Sequence, residues 1–308
     1  PTRELAMQVA EEVAKLALFK KGVRELPIYG GASYERQFRG LDSGVQFVIG
    51  TPGRVIDHLD RGSLRLDQLK MLILDECDRM LDMGFREDIE RILQSAPPER
   101  QTAFFSATLP KPIRDLISTF SREPEHLKIE SATVSAPAID QVYYEVDRRS
   151  KIEVLSRIID IQDIKLGIIF CATKMMCDEV TAQLNARGYN ADSLHGDMSQ
   201  ALRERVMARF RDGKVELLVA TDVAARGLDV EGISLVVNYD VPTQPEDYVH
   251  RIGRTGRAEA AGQAFTLVTP EDERMIHRIE YILQTRIERR RLDGFAYDTP
   301  AVSIPSAE

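Results

Sequence analysis

Short apolar runs rich in β-branched residues alternate along most of this chain with longer stretches whose apolar residues recur every three or four positions. The first pattern predicts buried strands and the second amphipathic helices. In the first half, strands are expected at Leu26–Tyr29, Phe47–Gly50, Met71–Leu74 and Thr102–Phe105. In the second half they are expected at Gln141–Val146, Gly167–Phe170, Leu217–Ala220, Leu235–Tyr239 and Ala264–Val268. Helices fall between them, among them Lys151–Ile161, Met175–Arg187, Gln200–Asp212 and Pro245–Ile252. The run from Ser131 to Ala138 has small residues, one Pro and no apolar periodicity, and reads as a linker. The expected fold is α/β, with two similar halves, each an open, mostly parallel sheet flanked by helices.

One regularity bears on function. Met71–Leu74 ends in Asp75-Glu76, Phe105 leads to Ser106-Ala107-Thr108, Phe170 to Cys171-Ala172-Thr173, and Ala220 to Thr221-Asp222. Ligands of open α/β sheets bind beyond the carboxyl ends of the strands. These polar clusters are therefore the place to look for chemistry.

Length and charge narrow the picture. A chain of 308 residues suggests about two domains. A net charge of −8 argues against a simple basic DNA-coating protein, but a local basic strip is enough for nucleic acid. Arg286, Arg289, Arg290 and Arg291 form the one dense basic cluster, expected on a helix end; a solvated face and an RNA-contacting tail both fit it. The longest apolar runs, such as Met71 to Leu74 and Leu166 to Cys171, are too short to span a bilayer. Cys77, Cys171 and Cys177 show no zinc spacing and fit a reducing, cytoplasmic setting.

Asp75 and Glu76 close a buried strand in the run LDECD. An Asp there can hold Mg2+ with waters still on the metal, and the adjacent Glu can orient or deprotonate a water. Acidic residues opposing a helix dipole give the same pattern. The run HRIGRTGR, His250 to Arg257, is more specific. Thr243 and Glu246 have capping-box spacing, so a helix is expected from near Pro245 to Gly253. Arg254 and Arg257 then lie on a Gly-containing turn, and planar guanidinium groups suit phosphate oxygens. Thr51-Pro52-Gly53-Arg54 and Thr221-Asp222 each open a helix after a strand. Such starts are ordinary capping chemistry, and they are also anion sites. Gly30-Gly31 allows close backbone approach, or a plain turn. His195 lacks metal-ligand spacing and reads as a hydrogen-bonding loop residue, and Cys77 as a small buried one.

Together these runs resemble the DEAD-box RNA helicases of superfamily 2, over nearly the whole chain from Pro1 to about Gln284. PTRELA is similar to their motif Ia, Gly30-Gly31 to the GG element, Thr51–Arg54 to motif Ib and Ser106–Thr108 to motif III. Ile168–Lys174 is similar to motif IV, His195–Arg203 to the Q-x-x-R region, Ala220–Asp229 to motif V and His250–Arg257 to motif VI. The box reads DECD, with Cys77 where the family name has Ala; both are small, so little effect on chemistry is expected. The resemblance implies two tandem RecA-like domains, over 1–131 and 141–290, joined by a linker at 132–140 and followed by a partly disordered tail at 291–308.

The resemblance also implies roles, ATP and Mg2+ as cofactors, and RNA as partner. Asp75 would bind Mg2+ through water, and Glu76 would position the hydrolytic water. Arg254 and Arg257 would reach the γ-phosphate, and Asp229 the ribose. Asp78, Ser106, Thr108 and His250 would couple ATP state to domain closure. Thr2, Arg3, Gly31, Thr51, Arg54, Thr173, Gly196, Gln200, Arg203 and Thr221 would line the path of single-stranded or duplex RNA, with little sequence preference. Ribonucleoprotein, ribosome-assembly or RNA-decay partners, a monomer and no membrane contact are expected.

No G-x-x-x-x-G-K-[ST] loop occurs, and the chain opens within a motif without Met. An N-terminally truncated helicase lacking the adenine-reading Q motif and the Walker A loop is therefore expected, inactive as an ATPase on its own. A non-catalytic RNA-binding protein and a DNA helicase of the same superfamily are the alternatives.

Overall fold

The computed structural model describes residues 1–128, 139–162, 164–225, 230–256 and 262–292. The chain divides into two compact units, Pro1–Glu130 and Ser131–Glu308. Of the expected linker, all but Ile139 and Asp140 lies outside the described residues; of the expected tail, all but Arg291 and Leu292.

Unit 1 runs α1 (Arg3–Ala17), β1 (Glu25–Ile28), α2 (Tyr34–Asp42), β2 (Phe47–Gly50), α3 (Pro52–Asp60), β3 (Met71–Leu74), α4 (Cys77–Asp82), α5 (Arg86–Ser95), β4 (Gln101–Phe104) and α6 (Lys111–Phe120). Its four strands form two separate parallel pairs, β1 with β2 and β3 with β4. This departs from the single sheet expected for the half. Leu72 and Leu74 pack against Ile56, Ile89, Leu93 and Ile113, whereas Met71 and Ile73, on the other face of β3, are 48% and 54% exposed. Among the described residues no strand joins β2 to β3, so the apolar run MLIL is covered on one face only.

Unit 2 runs β5 (Ile139–Glu145), α7 (Lys151–Ile161), β6 (Leu166–Phe170), α8 (Lys174–Ala186), β7 (Ala191–Leu194), α9 (Gln200–Arg211), β8 (Leu217–Ala220), α10 (Asp222–Ala225), β9 (Ile233–Asn238), α11 (Pro245–Ile252), β10 (Gly262–Val268), α12 (Glu273–Leu283) and β11 (Glu288–Arg290). The seven strands form one parallel sheet in the order β11-β5-β10-β9-β6-β8-β7. Period-two alternation divides its apolar strands between two cores. Ile169, Val219, Leu235 and Val237 face α7 and α8; Ile168, Phe170, Leu218 and Val236 face α9 and α10. Continuous apolar strands are what a sheet covered on both faces requires.

Two strands were not expected. Ala191–Leu194 carries no β-branched run, and its pairing with β8 makes it a strand. Arg289 and Arg290, expected on a helix end, lie on β11 beside β5 instead. The cause is Gln284, whose left-handed backbone (φ 53°) ends α12 and turns the chain toward the sheet.

Gly50 closes β2 where three elements meet. A Cβ there would lie 2.6 Å from Val55 Cγ2, 2.7 Å from Ile28 Cγ1 and 3.1 Å from the Ile28 carbonyl oxygen. Gly50→Ala should destabilise unit 1 by about 1–3 kcal/mol through overpacking. Chemical denaturation resolving the two units checks this; an unchanged unit 1 midpoint would refute the close fit.

Candidate functional site

In unit 1 the DECD box turns sharply out of β3. Glu76 has φ 49°, in the left-handed region that non-glycine residues enter at a cost of about 1–2 kcal/mol. The turn is held from both sides: Asp75 Oδ1 accepts from Glu76 N at 2.9 Å, and Cys77 N donates to the Phe105 carbonyl at 3.1 Å. Asp75 is exposed and Glu76 half-buried, while Cys77 is buried at 2% exposure, as its size suggested. Burial pushes the Cys77 thiol up, so it stays protonated. The Pro1 amine feels the charges of Glu76 and Asp75, which oppose its lowering by burial.

Asp78 is buried, and it ties the box to β4. Its Oδ2 accepts from Thr108 N at 3.0 Å and Thr108 Oγ1 at 2.7 Å, and its Oδ1 from Arg79 N at 3.0 Å. Ser106 Oγ closes the turn by donating to the Thr108 carbonyl at 2.6 Å. Burial raises the Asp78 pKa, but hydrogen bonds from Thr108, Ser106 and the backbone outweigh it and hold the carboxyl below its ordinary value. Asp78, Ser106 and Thr108 are thus brought together.

The other strand pair of unit 1 carries the Gly30-Gly31 turn after β1. Thr2 caps α1 by accepting from Leu5 N at 3.3 Å. Gly31 has φ 83°, and a Cβ there would meet Arg3 Nη1 at 2.7 Å, so only glycine lets the Arg3 guanidinium lie over the turn. Thr51 precedes α3 without a side-chain cap bond, its carbonyl accepting from Arg54 N and Val55 N, and open space surrounds Gly53. Arg54 does not project outward: its side chain is 9% exposed, it donates to the Ala32 carbonyl at 3.3 Å, and it stacks 3.9 Å over Tyr34. Sequence reasoning missed Gln37 on α2, which accepts from this arginine, and His58 on α3, which meets the same Gln37 oxygen. The available signal was a glutamine on a helix face and a histidine one turn after Arg54.

Unit 2 gathers a second set at the carboxyl ends of β6, β7 and β8. Thr173 caps α8 by accepting from Met176 N at 3.1 Å, and Ser199 caps α9, placing Gln200 in its first turn. Arg203 is buried and donates to the His195 carbonyl at 3.4 Å, holding the loop that contains Gly196. His195 Nε2 lies 2.9 Å from Asp178, which confirms it as a loop hydrogen-bonding residue. Thr221 N donates to the Leu194 carbonyl at 3.3 Å and begins α10. Two helix amino ends, a bare Gly196 and a buried arginine bracing the loop repeat the arrangement of unit 1. Oriented N–H groups of this kind bind anions without reading side chains.

The HRIGRTGR run follows α11. Gln244, not Thr243, precedes the helix, and no side-chain cap bond forms, so the capping box suggested by the spacing is absent. Arg254 lies half-buried past the helix end, its Nε donating to the His250 carbonyl at 3.3 Å. Arg257 and Asp229 lie outside the described residues. The organising residue is Arg251, which had been assigned no role. At 2% exposure it holds Asp222 through Nε at 2.6 Å and Nη2 at 2.8 Å, and its Nη1 donates to Asn238 Oδ1 at 3.1 Å and the Asp240 carbonyl at 2.6 Å. Asp240 in turn accepts from Ala172 N at 2.9 Å and Lys151 Nζ at 2.9 Å. The loops after β6, β8 and β9 and the helix before Arg254 are thereby tied into one network.

This geometry agrees with comparison to known proteins. Residues 1–116 match the DEAD/DEAH box helicase family and residues 150–259 the helicase conserved C-terminal domain. The chain belongs to the DEAD-box RNA helicase family, and its two units are tandem RecA-like domains. Among its relatives is the DEAD-box ATP-dependent RNA helicase CshA of Geobacillus kaustophilus, 51% identical over 291 residues, covering 94% of this chain and 62% of the relative. CshA of Bacillus subtilis is 47% identical, covering 94% of this chain and 59% of the relative. The chain thus spans about three fifths of these relatives. Among solved structures, S. cerevisiae Dbp5 bound to RNA and ADP BeF3 is 31% identical with a TM-score of 0.84, covering 94% of this chain and 75% of that one. Mss116p bound to ssRNA and AMP-PNP is 27% identical with a TM-score of 0.82, covering 95% and 63%.

Two outcomes test the networks. Arg251→Ala would take the guanidinium from half-buried Asp222, from Asn238 Oδ1 and from the Asp240 carbonyl, and should destabilise unit 2 by about 1.5–3 kcal/mol; a loss below about 1 kcal/mol in urea unfolding would contradict the arrangement. For Asp78 the folded pKa is depressed, so its contribution to stability is fully present above the ordinary 3.8 and is lost as pH falls through the folded value. Thr108→Val should shrink that pH-dependent part. Acid titration of unit 1 stability with identical wild-type and variant profiles would exclude the contact.

Proposed function

We propose that this chain is the core of an ATP-dependent RNA helicase that separates short duplexes or remodels ribonucleoproteins, coupling ATP hydrolysis to closure of its two domains on single-stranded RNA. The observation that carries this reading is the DECD turn, where exposed Asp75 and half-buried Glu76 stand on a strained, doubly tethered backbone beside the buried Asp78–Thr108 latch.

The residues fit a hydrated Mg2+. Asp75, with one oxygen on Glu76 N, would hold the ion through a water. Among the described residues no three acidic, His or Cys side chains converge on a metal site. When bound, Mg2+ neutralises charge on the transferred phosphoryl group. Glu76 would orient the attacking water, and Arg254 with Arg257 would meet the phosphate charge. Asp78, through Thr108 and Ser106, passes a shift at the carboxylates to the strand end after β4, and His250 plays the corresponding part beside Arg254. Asp229 contacts the ribose.

RNA follows the amino ends of α1 and α3 in unit 1 and those of α8 and α9 in unit 2. Contacts to backbone phosphate leave sequence unread, and contacts to 2′-hydroxyls favour RNA over DNA. Arg54 and Arg203 shape this path from within. The 308 residues contain no loop to cradle the β- and γ-phosphates. This polypeptide should therefore bind RNA yet hydrolyse ATP negligibly.

Fluorescence anisotropy with single-stranded RNA and DNA of equal sequence, together with a phosphate-release assay, tests both halves. Tighter RNA binding with turnover at background is expected. Equal affinity would favour the DNA-helicase reading, and robust RNA-stimulated turnover would overturn the inactivity.

A further inference from the structure

One buried polar group in unit 1 has no part in the scheme so far. Gln37, on α2, is 2% exposed. Its Nε2 donates to the Tyr29 carbonyl at 3.2 Å, and its Oε1 accepts from Arg54 Nη1 at 3.1 Å. A carbonyl can only accept and a guanidinium can only donate, so these two partners fix which end of the amide is which. The same oxygen lies 2.8 Å from His58 Nε2, so that nitrogen must carry the proton, while Nδ1 faces Ser63 Oγ at 2.8 Å. His58 is fully buried, which agrees with a neutral ring held in one tautomer.

The two ends of this amide touch two different parts of the backbone-lined turn. Tyr29 immediately precedes Gly30-Gly31, and Arg54 immediately follows Thr51-Pro52-Gly53. Arg54 itself is consumed by Ala32, Gln37 and Tyr34, so its charge is not free to reach a ligand. What this region offers a phosphate chain is the glycine backbone of Gly30-Gly31 under the Arg3 guanidinium and, across from it, Gly53 N–H, since Pro52 has none and the N–H groups of Thr51, Arg54 and Val55 already donate to carbonyls; the usefulness of these groups depends on their spacing.

We propose that Gln37 is a positioning residue for RNA: one buried amide sets the separation between the Gly30-Gly31 turn and the amino end of α3, so that successive phosphates meet both together. His58 keeps the amide from rotating. The inference rests on the RNA reading above and names a residue that does not itself touch RNA.

The test is RNA affinity as a function of salt for the 308-residue chain and three variants. Gln37→Leu replaces a neutral side chain by a neutral one of similar size. It should weaken single-stranded RNA binding about tenfold, the equivalent of one charge-assisted hydrogen bond. It should also lower the slope of log K against log salt by about 0.7, the value for one lost phosphate on a single strand. A change of slope without a change of charge is what general destabilisation would not produce. Leu93, on α5 in the unit 1 core, makes no bond to Gln37 or Arg54, and Leu93→Ala should lower thermal stability and leave affinity and slope alone. If Gln37→Leu does not fold, Gln37→Asn keeps the amide but is too short to reach both partners, and the same loss is expected. Wild-type affinity and slope in the Gln37 variants would overturn the proposal, as would equal losses in Gln37→Leu and Leu93→Ala. A wild-type chain that fails to bind RNA at all would instead defeat the RNA reading, a separate result.

Discussion

A guanidinium group with almost no access to water must have every strong donor met, and Arg251 meets this requirement by drawing the strand ends of unit 2 to one place. Parallel strands deliver all their following loops to the same edge of the sheet. Apolar packing alone would let those loops wander, since α7, α8 and α9 pack against the faces and not the edge. The network from Asp222 through Arg251 to Asp240, and on to Ala172 and Lys151, fixes the edge by directed bonds. A hydrophobic replacement could hold the same volume, but it could not orient three loops.

Unit 1 solves the same problem with neutral or shielded groups. Gln37 and His58 brace the glycine turn and the start of α3, and Asp78 braces the strand end after β4. In both units an arginine that would be read as a ligand-facing charge, Arg54 or Arg203, is turned inward to a loop carbonyl. Around them lie glycines and helix amino ends, with the Arg3 guanidinium over Gly31. Under the proposed function such a surface would leave base sequence unread, because phosphate is common to every nucleotide.

Much of this was legible beforehand. Phe47–Gly50, Met71–Leu74 and Leu217–Ala220 are strands at the expected residues, and Lys151–Ile161 and Pro245–Ile252 are helices at theirs. Their patterns are long or apolar enough to decide locally. Ala191–Leu194 was not legible, because a strand of small and polar residues exists only by pairing with β8. The arginines of β11 looked helical because α12 precedes them, and one left-handed residue, Gln284, redirected the chain. Thr243 and Glu246 had the right spacing for a cap, yet the helix took Gln244 as its boundary.

The residue types in DECD, the glycine doublet, the helix-opening threonines and HRIGRTGR follow from sequence alone, since each motif is a local run whose chemistry is carried by its own side chains. Which way those side chains turn was decided by tertiary structure. Arg54 faces Gln37, Arg203 faces His195, and Arg251 faces Asp222 because buried charge must find partners, and partners far apart in sequence become neighbours only once the sheets are formed.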